Sequence, residues 1–324
     1  MDGDRPFRLT RREALRAAGL AGVTLLAASC ARSFDDVRLT IATGGTQGVY
    51  YALGNALAQA WEQWLPLPQR PQVLSTDGSR ANLDLLDAGT ADVAFSAADA
   101  AALNMTATVR DEGRRPAALA RLYDDVVHVV VRADSPARRL ADLRGLRVSI
   151  GAANSGVLLI AQRCLKAVGL SPGTDLVAAN LGINDSVAAM RDGRIDAFFW
   201  SGGLPTAGVT ELSNSTKIRL LDTSDAIPAI RQAYPVYEVG TVPATSYGID
   251  KPVTTLFVRN FLLVARAMAD DLAEALVGAL FDARPLLAQA SSTARTIDQR
   301  TAIGTQPILL HPGAESYYRA AKDS

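Results

Sequence analysis

Residues 42–61, ATGGTQGVYYALGNALAQAW, place a glycine-rich turn between an apolar run and a pattern with helical spacing. The preceding residues 37–41, VRLTI, are mostly apolar and β-branched, which favours a strand. Glycine at positions 44, 45 and 48 lets a ligand approach the backbone closely. The unpaired N–H groups and the positive dipole end of the following helix point at this turn. The segment therefore predicts a strand–turn–helix unit that can hold a carboxylate or a phosphate.

This turn differs from the two common nucleotide-binding loops. It lacks the pattern Gly-x-x-x-x-Gly-Lys-Ser/Thr, and its Gly-Gly-x-x-Gly spacing is not Gly-x-Gly-x-x-Gly. Another glycine pair with the first spacing, Gly203 and Gly208, is followed by Val209 where a lysine is required. A turn of this kind also fits a purely structural role, so its interpretation depends on whether the arrangement recurs.

The arrangement recurs at three further places, VLSTDGSRANLDLL (73–86), VSIGAANSGVLLIA (148–161) and AFFWSGGLPTAGV (197–209). Each is predicted to end a strand and to begin a helix, and the helix of the last segment is predicted to open at Pro205. In a parallel α/β sheet such turns lie at the carboxyl edge of the strands, where ligands bind. We therefore expect four helix starts, rich in small and hydroxyl-bearing residues, to converge on one anion.

The rest of the chain alternates short β-branched runs with helical patterns, which predicts an α/β architecture with largely parallel sheets. One helical pattern continues over residues 269–289. Two longer extended runs, 121–136 and 234–265, are typical of strands that leave one lobe and enter another. They predict lobe 1 from residues 34–130 plus 240–324, with lobe 2, residues 131–239, inserted between. The same periodicity fits a two-domain enzyme equally well.

Composition narrows the class of protein. Hydrophobic residues make up 48% of the 324 residues and charged residues 20%, which is typical of an ordered globular protein. Lysine plus arginine and aspartate plus glutamate each number 33, so the chain has no positive field that would attract nucleic acid.

Residues 1–29 are predicted to be an export signal. They contain five arginines, at positions 5, 8, 11, 12 and 16, followed by an apolar run over residues 17–28 that is too short to span a bilayer. Thr10-Arg11-Arg12 resembles a twin-arginine signal, although Ala14 stands where an aromatic residue is common. Residues 26–30, LAASC, resemble a bacterial lipobox, which would make Cys30 the lipidated first residue of the exported protein. A cleaved signal with an incidental cysteine is the alternative.

Groups that could perform catalysis are scarce. The two histidines, His128 and His311, have no cysteine, histidine or carboxylate at metal-ligand spacing, and Gly-x-Ser-x-Gly does not occur. Cys164 lies among apolar residues of a predicted helix, which favours packing. The acidic pairs 35–36, 124–125 and 270–271 are interpreted as solvated turns or helix caps. The sequence therefore predicts a protein that is not an enzyme and that has no metal or cofactor.

Several separated motifs resemble the TAXI family of solute receptors that serve TRAP-type transporters. ATGGTQGVYYALG resembles the family opening T-G-G-x-x-G-x-Y-Y-x-x-G, and STDGSRANLDLL resembles the segment T-x-G-S-x-x-N. Further similar segments follow in the family's order: ADVAFSAAD, ARLYDDVVHVVVRADS, DLRGLRVSIGAANSG, DGRIDAFFWSGGLPTAGV and LHPGAESYY. The likeness covers nearly all of the chain after the signal.

The resemblance implies an α/β, two-lobed periplasmic-binding-protein type II-like fold, with a ligand cleft between the lobes and two crossover strands. It implies a periplasmic receptor, lipid-anchored at Cys30 or free, that captures a small acidic solute such as glutamate, glutamine, or a dicarboxylate such as 2-oxoglutarate. The implied partner is the membrane subunit of a TRAP transporter, of the fused type. Carried over position by position, the ligand-binding residues would be Gly44, Gly45, Thr46, Gly48, Tyr50, Gly78, Ser79, Asn82, Ser96, Asp99, Ser155, Gly156, Trp200, Gly202, Pro205 and Tyr247.

Three acidic or basic residues leave the identity of the solute undetermined. Asp99 has two interpretations, an acceptor for a ligand ammonium group or a helix cap. Asp77 stands where many TAXI relatives have glycine, and Arg80 occupies a variable position. Each of these residues is expected to affect which solute binds.

Two other functions fit parts of the pattern. A sensor that passes a ligand signal to a membrane kinase would use the same cleft. An exported α/β enzyme would also use it, but would need an activated nucleophile or a metal. Turnover of a tested acid would distinguish the enzyme from the receptors.

Overall fold

The computed structural model describes residues 34–106 and 111–322. The predicted export signal and Cys30 lie outside the described residues. Strands within this part of the chain are β1 Thr40–Ala42, β2 Gln72–Leu74, β3 Val93–Ala97, β4 Pro116–Arg132, β5 Arg147–Ser149, β6 Val177–Ala179, β7 Ala197–Gly202, β8 Ile218–Leu220, β9 Tyr237–Val242 and β10 Val253–Ala265. Helices are α1 Val49–Trp64, α2 Ser79–Asp87, α3 Ala98–Met105, α4 Gly156–Ala167, α5 Ile183–Arg191, α6 Ala207–Ser215, α7 Ile227–Ala233, α8 Asp270–Asp282, α9 Arg284–Ala290, α10 Gln299–Ala302 and α11 Pro312–Lys322.

The strands form a mixed sheet in the order β2-β1-β3-β10-β4-β7-β5-β6, with β8 beside β4 and β9 beside β10. Pairing is parallel for β1 with β2 and β3, and for β5 with β6 and β7. The pairs that involve β4 and β10 are antiparallel. The expectation of largely parallel sheets therefore holds only for the outer strands of each lobe, because the two long central strands run against their neighbours.

The two lobes share the central strands β4 and β10. The first part of β4 pairs with β10, up to the pair Val126 and Phe257. From Val126 onward β4 pairs with β7 instead, beginning at Gly202. One lobe is thus built on β1–β3 and the other on β5–β8, as the two long extended runs predicted. The residue boundaries given above for the lobes stay predictions.

Helix α1 shows how the apolar pattern positions the first turn. Leu53, Leu57 and Trp61 recur every four residues, and each is at most 1% exposed. They belong to one buried cluster with Ile41 of β1 and Phe95 of β3. Burial of each such side chain contributes about 1.5–3 kcal/mol. This packing fixes the helix against the sheet, so that its N-terminus lies at the carboxyl ends of the strands.

Two predicted helix boundaries are wrong. The pattern over residues 269–289 forms two helices, since Pro285 in the first turn of α9 has no N–H to continue the hydrogen bonding of α8. The helix expected from Pro205 begins at Ala207, with Thr206 as the N-cap. Among the described residues, every helix is too short or too polar to cross a membrane.

Candidate functional site

Turns from both lobes meet around one cavity. Its wall includes Gly44, Gly45, Gly48, Gly78 and Ser79 from one lobe and Ser155, Gly156, Gly182 and Ile183 from the other. The contact is close at two glycines. A Cβ added to Gly156 would lie 3.0 Å from Ser79 Oγ, and one added to Gly45 would lie 3.2 Å from Ile183 Cγ2. Larger residues at these positions would keep the lobes apart.

Four helices point their N-termini at this cavity. Gly48, Gly78, Ser155 and Gly182 are the N-caps of α1, α2, α4 and α5. Gly78 has φ 114° and ψ −151°, a conformation that is essentially restricted to glycine. The first N–H groups of a helix have no intrahelical acceptor and carry the positive end of the dipole. The helix N-termini therefore supply positive potential at the cavity wall without any cationic side chain.

The cavity has the size of a small solute. The centres of water molecules have about 80 Å³ available within it. One water needs about 10–15 Å³ by this measure, so the space holds several waters or a compact organic molecule.

Hydrogen bonds between the lobes close the rim of the cavity. On one side Gln47 Nε2 donates to Glu211 Oε2 at 2.6 Å, and Asn184 Nδ2 donates to Thr46 Oγ1 at 2.8 Å. On the other side the Ala81 N–H donates to the carbonyl of Asn154 at 2.9 Å. The structure thus has the lobes in contact, in a closed arrangement.

Aromatic side chains from both lobes complete the wall. The indole N–H of Trp200 donates to Thr206 Oγ1 at 3.0 Å, which orients the ring near Gly48. The Tyr50 ring stacks on Phe95 at 5.2 Å, and its hydroxyl donates to Asn260 Oδ1. These contacts hold both rings in place before any ligand enters.

The crossover strand β4 supplies a buried acid. Asp125 is 3% exposed and lines the cavity, so the interpretation of residues 124–125 as a solvated turn is wrong for Asp125. It lies within β4, between the lobes, where β10 and β7 flank the strand. Ser201 Oγ donates to Asp125 Oδ2 at 3.3 Å. Burial raises the pKa of Asp125 to about 8, which keeps the carboxyl largely protonated at neutral pH.

Metal chemistry finds no support in residues 34–106 and 111–322. Their histidine, cysteine, aspartate and glutamate side chains form no group of three that could hold a metal ion. Cys164 is fully buried, and burial raises the pKa of its thiol to about 12, in keeping with the predicted packing role.

Comparison with known proteins gives both a family and a fold. The model of the NMT1-like family matches residues 41–321. This chain belongs to the NMT1-like family. The solved structure of a periplasmic transporter is 16% identical, covers 88% of this chain and 92% of its own, and has a TM-score of 0.53. A protein from Bordetella bronchiseptica RB50 is 19% identical, covers 87% and 89%, and has a TM-score of 0.51.

A third similar structure is the ligand-binding component of an ABC-type import system from Staphylococcus aureus, solved with zinc bound. It is 12% identical, covers 88% of this chain and 99% of its own, and has a TM-score of 0.50. At such identities the likeness concerns the fold alone. The prediction of an α/β, two-lobed fold like that of periplasmic binding proteins is confirmed for this NMT1-like chain.

The predicted ligand-binding residues fall into two groups. Those that line the cavity are Gly44, Gly45, Gly48, Tyr50, Gly78, Ser79, Asp99, Ser155, Gly156, Trp200 and Gly202. Those that lie outside its wall are Thr46, Asn82, Ser96, Pro205 and Tyr247. Contact with a ligand stays a prediction for both groups. Within the NMT1-like fold, Thr46, Asn82, Ser96 and Tyr247 of the second group hydrogen-bond to other parts of the protein.

Asn82 lies outside the cavity wall and holds the turns that follow β1 and β2 in place. Its amide nitrogen donates to the carbonyls of Thr43 and Phe95, and its oxygen accepts from Thr76 Oγ1. Phe95 lies within β3, and Thr43 and Thr76 follow β1 and β2, so Asn82 ties three neighbouring strands together. Ser96 is fully buried and donates to the carbonyl of Ala97 at 3.1 Å.

Tyr247 and the turn at Pro205 support Trp200 from outside the cavity. The Tyr247 hydroxyl accepts from the N–H of Thr206 at 2.8 Å and lies 3.1 Å from His128 Nε2. Thr206 in turn accepts from the Trp200 indole. Burial lowers the pKa of His128 to about 4, so this histidine is uncharged at neutral pH.

Asp99 lines the cavity, but both of its oxygens have partners in the protein. Oδ1 accepts from the N–H of Ala100 at 2.8 Å, within the first turn of α3. Oδ2 accepts from the Tyr237 hydroxyl at 2.6 Å and lies 3.6 Å from Arg163 Nη1. These contacts account for the carboxylate without a ligand, although the N-cap itself is Ala97.

Sequence reasoning missed the cavity residues that β4 contributes, Tyr123 and Asp125. A signal was available, because residues two apart on a strand share a face. Tyr123 and Asp125 share such a face inside a long apolar strand, whereas Asp124 faces the other way and pairs with Arg121 at 2.8 Å. Sequence reasoning also missed Ser201 of β7 and residues 181–183, where Gly182 caps α5. The segment 197–209, predicted to place a helix start at the ligand, lines the cavity with Trp200, Ser201 and Gly202 but not with the N-terminus of α6.

Proposed function

We propose that this protein is an extracytoplasmic solute receptor that captures a small acidic solute and delivers it to a TRAP-type membrane transporter. One observation carries the proposal: four helix N-termini, two from each lobe, line a single cavity of small-solute size. Such N-termini bind carboxylates through N–H groups and the helix dipole. Glutamate, glutamine and dicarboxylates such as 2-oxoglutarate are the solutes implied by the TAXI-like motifs.

The similar structures support the coarser part of this proposal. One is named as a periplasmic transporter and another as the ligand-binding component of an import system. The TRAP assignment depends on the sequence motifs, and the fused membrane subunit is part of that assignment. A periplasmic location with a lipid anchor at Cys30 depends on the predicted signal.

Ligand binding would shift the lobes toward the closed arrangement. A solute between the lobes contacts N–H groups of α1 and α2 on one side and of α4 and α5 on the other. Only the contacts made after closure favour the closed state. The exclusion of water beneath Trp200 and Tyr50 would strengthen those contacts.

A thermal-shift screen of residues 31–324 tests the proposal. The panel contains acidic amino acids, 2-oxo acids, dicarboxylates and sulfonates. A ligand at 100 times its Kd stabilises the folded state by roughly 2.7 kcal/mol, which gives a measurable rise in Tm. We expect at least one small acid to raise the Tm. A flat response across the panel would contradict the proposed ligand class, and turnover of any acid would favour the enzyme.

Intrinsic fluorescence should report binding through Trp200. The three tryptophans are Trp61, which is fully buried, Trp64, which is 47% exposed, and Trp200 in the cavity wall. We expect a stabilising acid to change the emission, and Trp200→Phe to remove that change. Trp64→Phe is the matched control and should keep it. Loss of the signal in the control variant alone would place the solute elsewhere.

A further inference from the structure

Two polar atoms in the cavity have no partner. Asp125 Oδ1 and the Tyr123 hydroxyl are buried, and neither meets hydrogen-bond geometry with a partner among the described residues, although Asp125 lies near enough to raise the pKa of Tyr123. Tyr123 is 2% exposed and Asp125 is 3% exposed, and both line the cavity. An unsatisfied buried polar group costs stability, and most such groups have a partner. A ligand that fills this cavity can supply that partner.

The charges of the cavity wall point to the kind of group. The ionisable acids that line it are Asp77, Asp99 and Asp125, and none of the lining residues is lysine, arginine or histidine. Positive potential comes from the helix N-termini, which can hold one carboxylate. If the solute carried a second anionic group, that group would lie near the carboxyl groups of the wall with no cation to offset its charge. A cationic group on the solute would instead be attracted by those carboxyl groups.

Of these three acids, Asp125 has the free acceptor atom. Both carboxylate oxygens of Asp99 already have partners, in Ala100, Tyr237 and Arg163. Asp77 is exposed at the rim, where water screens it. Asp125 is buried, its Oδ2 accepts from Ser201, and hydrogen bonding from Asn260 also lowers its pKa, but its Oδ1 has no partner.

We propose that Asp125 accepts an ammonium group of the solute, with the Tyr123 hydroxyl beside it, so that the cavity selects amino acids over the matching 2-oxo acids. This inference rests on the proposed receptor function and adds the residue that distinguishes two of its solute classes. The carboxylate of the amino acid would meet the helix N-termini, and its ammonium would meet β4.

Binding then releases a proton. Burial raises the pKa of Asp125 to about 8, with smaller contributions from the negative charges of Asp99 and Asp124 and in opposition to the hydrogen bonds from Ser201 and Asn260. Burial also raises the pKa values of Tyr50 and Tyr123 well above 10, so that both facing hydroxyls stay protonated. An ammonium group needs the carboxylate form, so the carboxyl proton leaves to solvent as the ion pair forms. Below pH 8 the affinity for an amino acid should rise about tenfold per pH unit.

Isothermal titration of the exported protein with matched acids tests this. The probes are L-glutamate with 2-oxoglutarate and L-alanine with pyruvate, since each pair differs only in an ammonium or oxo group. At pH 7.5 we expect one amino acid to bind at least about 50-fold more tightly than its oxo partner. Between pH 6 and 7.5 its affinity should rise about 30-fold. Titrations in phosphate and Tris buffers should show about one proton released per ligand at pH 7.

Variants on the two faces of β4 provide the control. Asp125→Asn should lower the amino acid affinity at least about 100-fold at pH 7.5 and abolish its pH dependence, while the oxo acid affinity falls less than about threefold. Asp124→Asn makes the same chemical change on the opposite face. Because the charge of Asp124 is the smallest of the causes that raise the pKa of Asp125, this variant should change the affinities less than about threefold and keep the pH dependence. Tyr123→Phe should weaken amino acid binding by about fivefold.

The thermal stability of the Asp125→Asn variant shows whether a loss of affinity comes from lost ligand recognition or from a folding defect. The buried carboxyl of Asp125 has a raised pKa, so it costs stability progressively as the pH rises from about 4 to about 8. Asp125→Asn removes that cost, and the Tm of the unliganded variant should not fall at pH 7.5. An equal loss for both acids of a pair, or affinity that does not change with pH, would overturn the assignment of Asp125.

The same titrations distinguish this inference from the receptor proposal. If a 2-oxo acid binds the wild-type protein and its amino acid partner does not, the receptor function stands and the ammonium subsite is wrong. If none of the four probes binds, the ammonium subsite is contradicted, whereas the receptor proposal is contradicted only if the whole thermal-shift panel is flat as well.

Discussion

Gly313→Ala is expected to destabilise the protein by at least about 3 kcal/mol, the upper end of what overpacking usually costs. Gly313 lies in the first turn of α11, against the start of α8. A Cβ added there would lie 2.0 Å from the carbonyl oxygen of Asp270 and 3.0 Å from Ala273 Cβ. The oxygen belongs to backbone, so relief requires α11 to move away from α8. Urea unfolding monitored by circular dichroism measures the change.

Gly278→Ala is the matched control for this prediction. Gly278 lies in the interior of α8, and an added Cβ would be 3.5 Å from the ring of Tyr317, an ordinary contact. Glycine in a helix interior costs roughly 0.5–1 kcal/mol relative to alanine, so this variant should be more stable than the wild type. The same substitution thus changes stability in opposite directions at two sites. Equal effects in the two variants would contradict the packing derived for α11.

The convergence of three of the four predicted helix starts could be predicted from local patterns alone, whereas the fourth helix N-terminus at the cavity is that of α5, not the predicted one of α6. Glycine and hydroxyl residues between a strand and a helix recur in the sequence, and parallel strands bring such turns to one edge. The long apolar runs likewise predicted crossover strands, since β4 and β10 are too long for one lobe. Both predictions depend on periodicity within short segments, which the sequence carries directly.

The part of the cavity wall that β4 contributes, Tyr123 and Asp125, depends on contacts between segments that are distant in the sequence. Asp125 resembles a solvated turn residue when it is read with Asp124, and its burial comes from strands that lie far away in the sequence. Tyr247 presents the opposite case. The resemblance implied ligand contact for Tyr247, which stays a prediction, whereas the structure shows its hydroxyl accepting from the Thr206 N–H and so supporting Trp200. A resemblance alone does not distinguish residues that line a cavity from residues that support its wall.

Gly156→Val should reduce the affinity for the best acid of the screen by about 5- to 150-fold, which corresponds to 1–3 kcal/mol of overpacking. Gly156 is the first residue of α4, and its nearest neighbours across the cleft are Ser79 Oγ at 3.0 Å and Ser79 Cβ at 3.2 Å from an added Cβ. Valine would add two methyl groups at this point. The lobes would then stop short of the closed arrangement, so α2 and α4 could not both reach the solute. Titration calorimetry measures the affinity.

A series of substitutions of increasing size at Gly156 shows whether affinity is lost because the lobes cannot close or because the fold around Gly156 is disrupted. Gly156→Ala adds only the Cβ, so its loss of affinity should be smaller than that of Gly156→Val, while Gly278→Ala should bind like the wild type. The φ of Gly156 lies outside the left-handed region, so neither side chain strains the backbone, and the Tm without ligand should stay within a few degrees of the wild type. Small-angle scattering with saturating ligand should show a larger radius of gyration for Gly156→Val. A compact, ligand-saturated Gly156→Val protein with wild-type affinity would mean that the solute does not require the contact between α2 and α4.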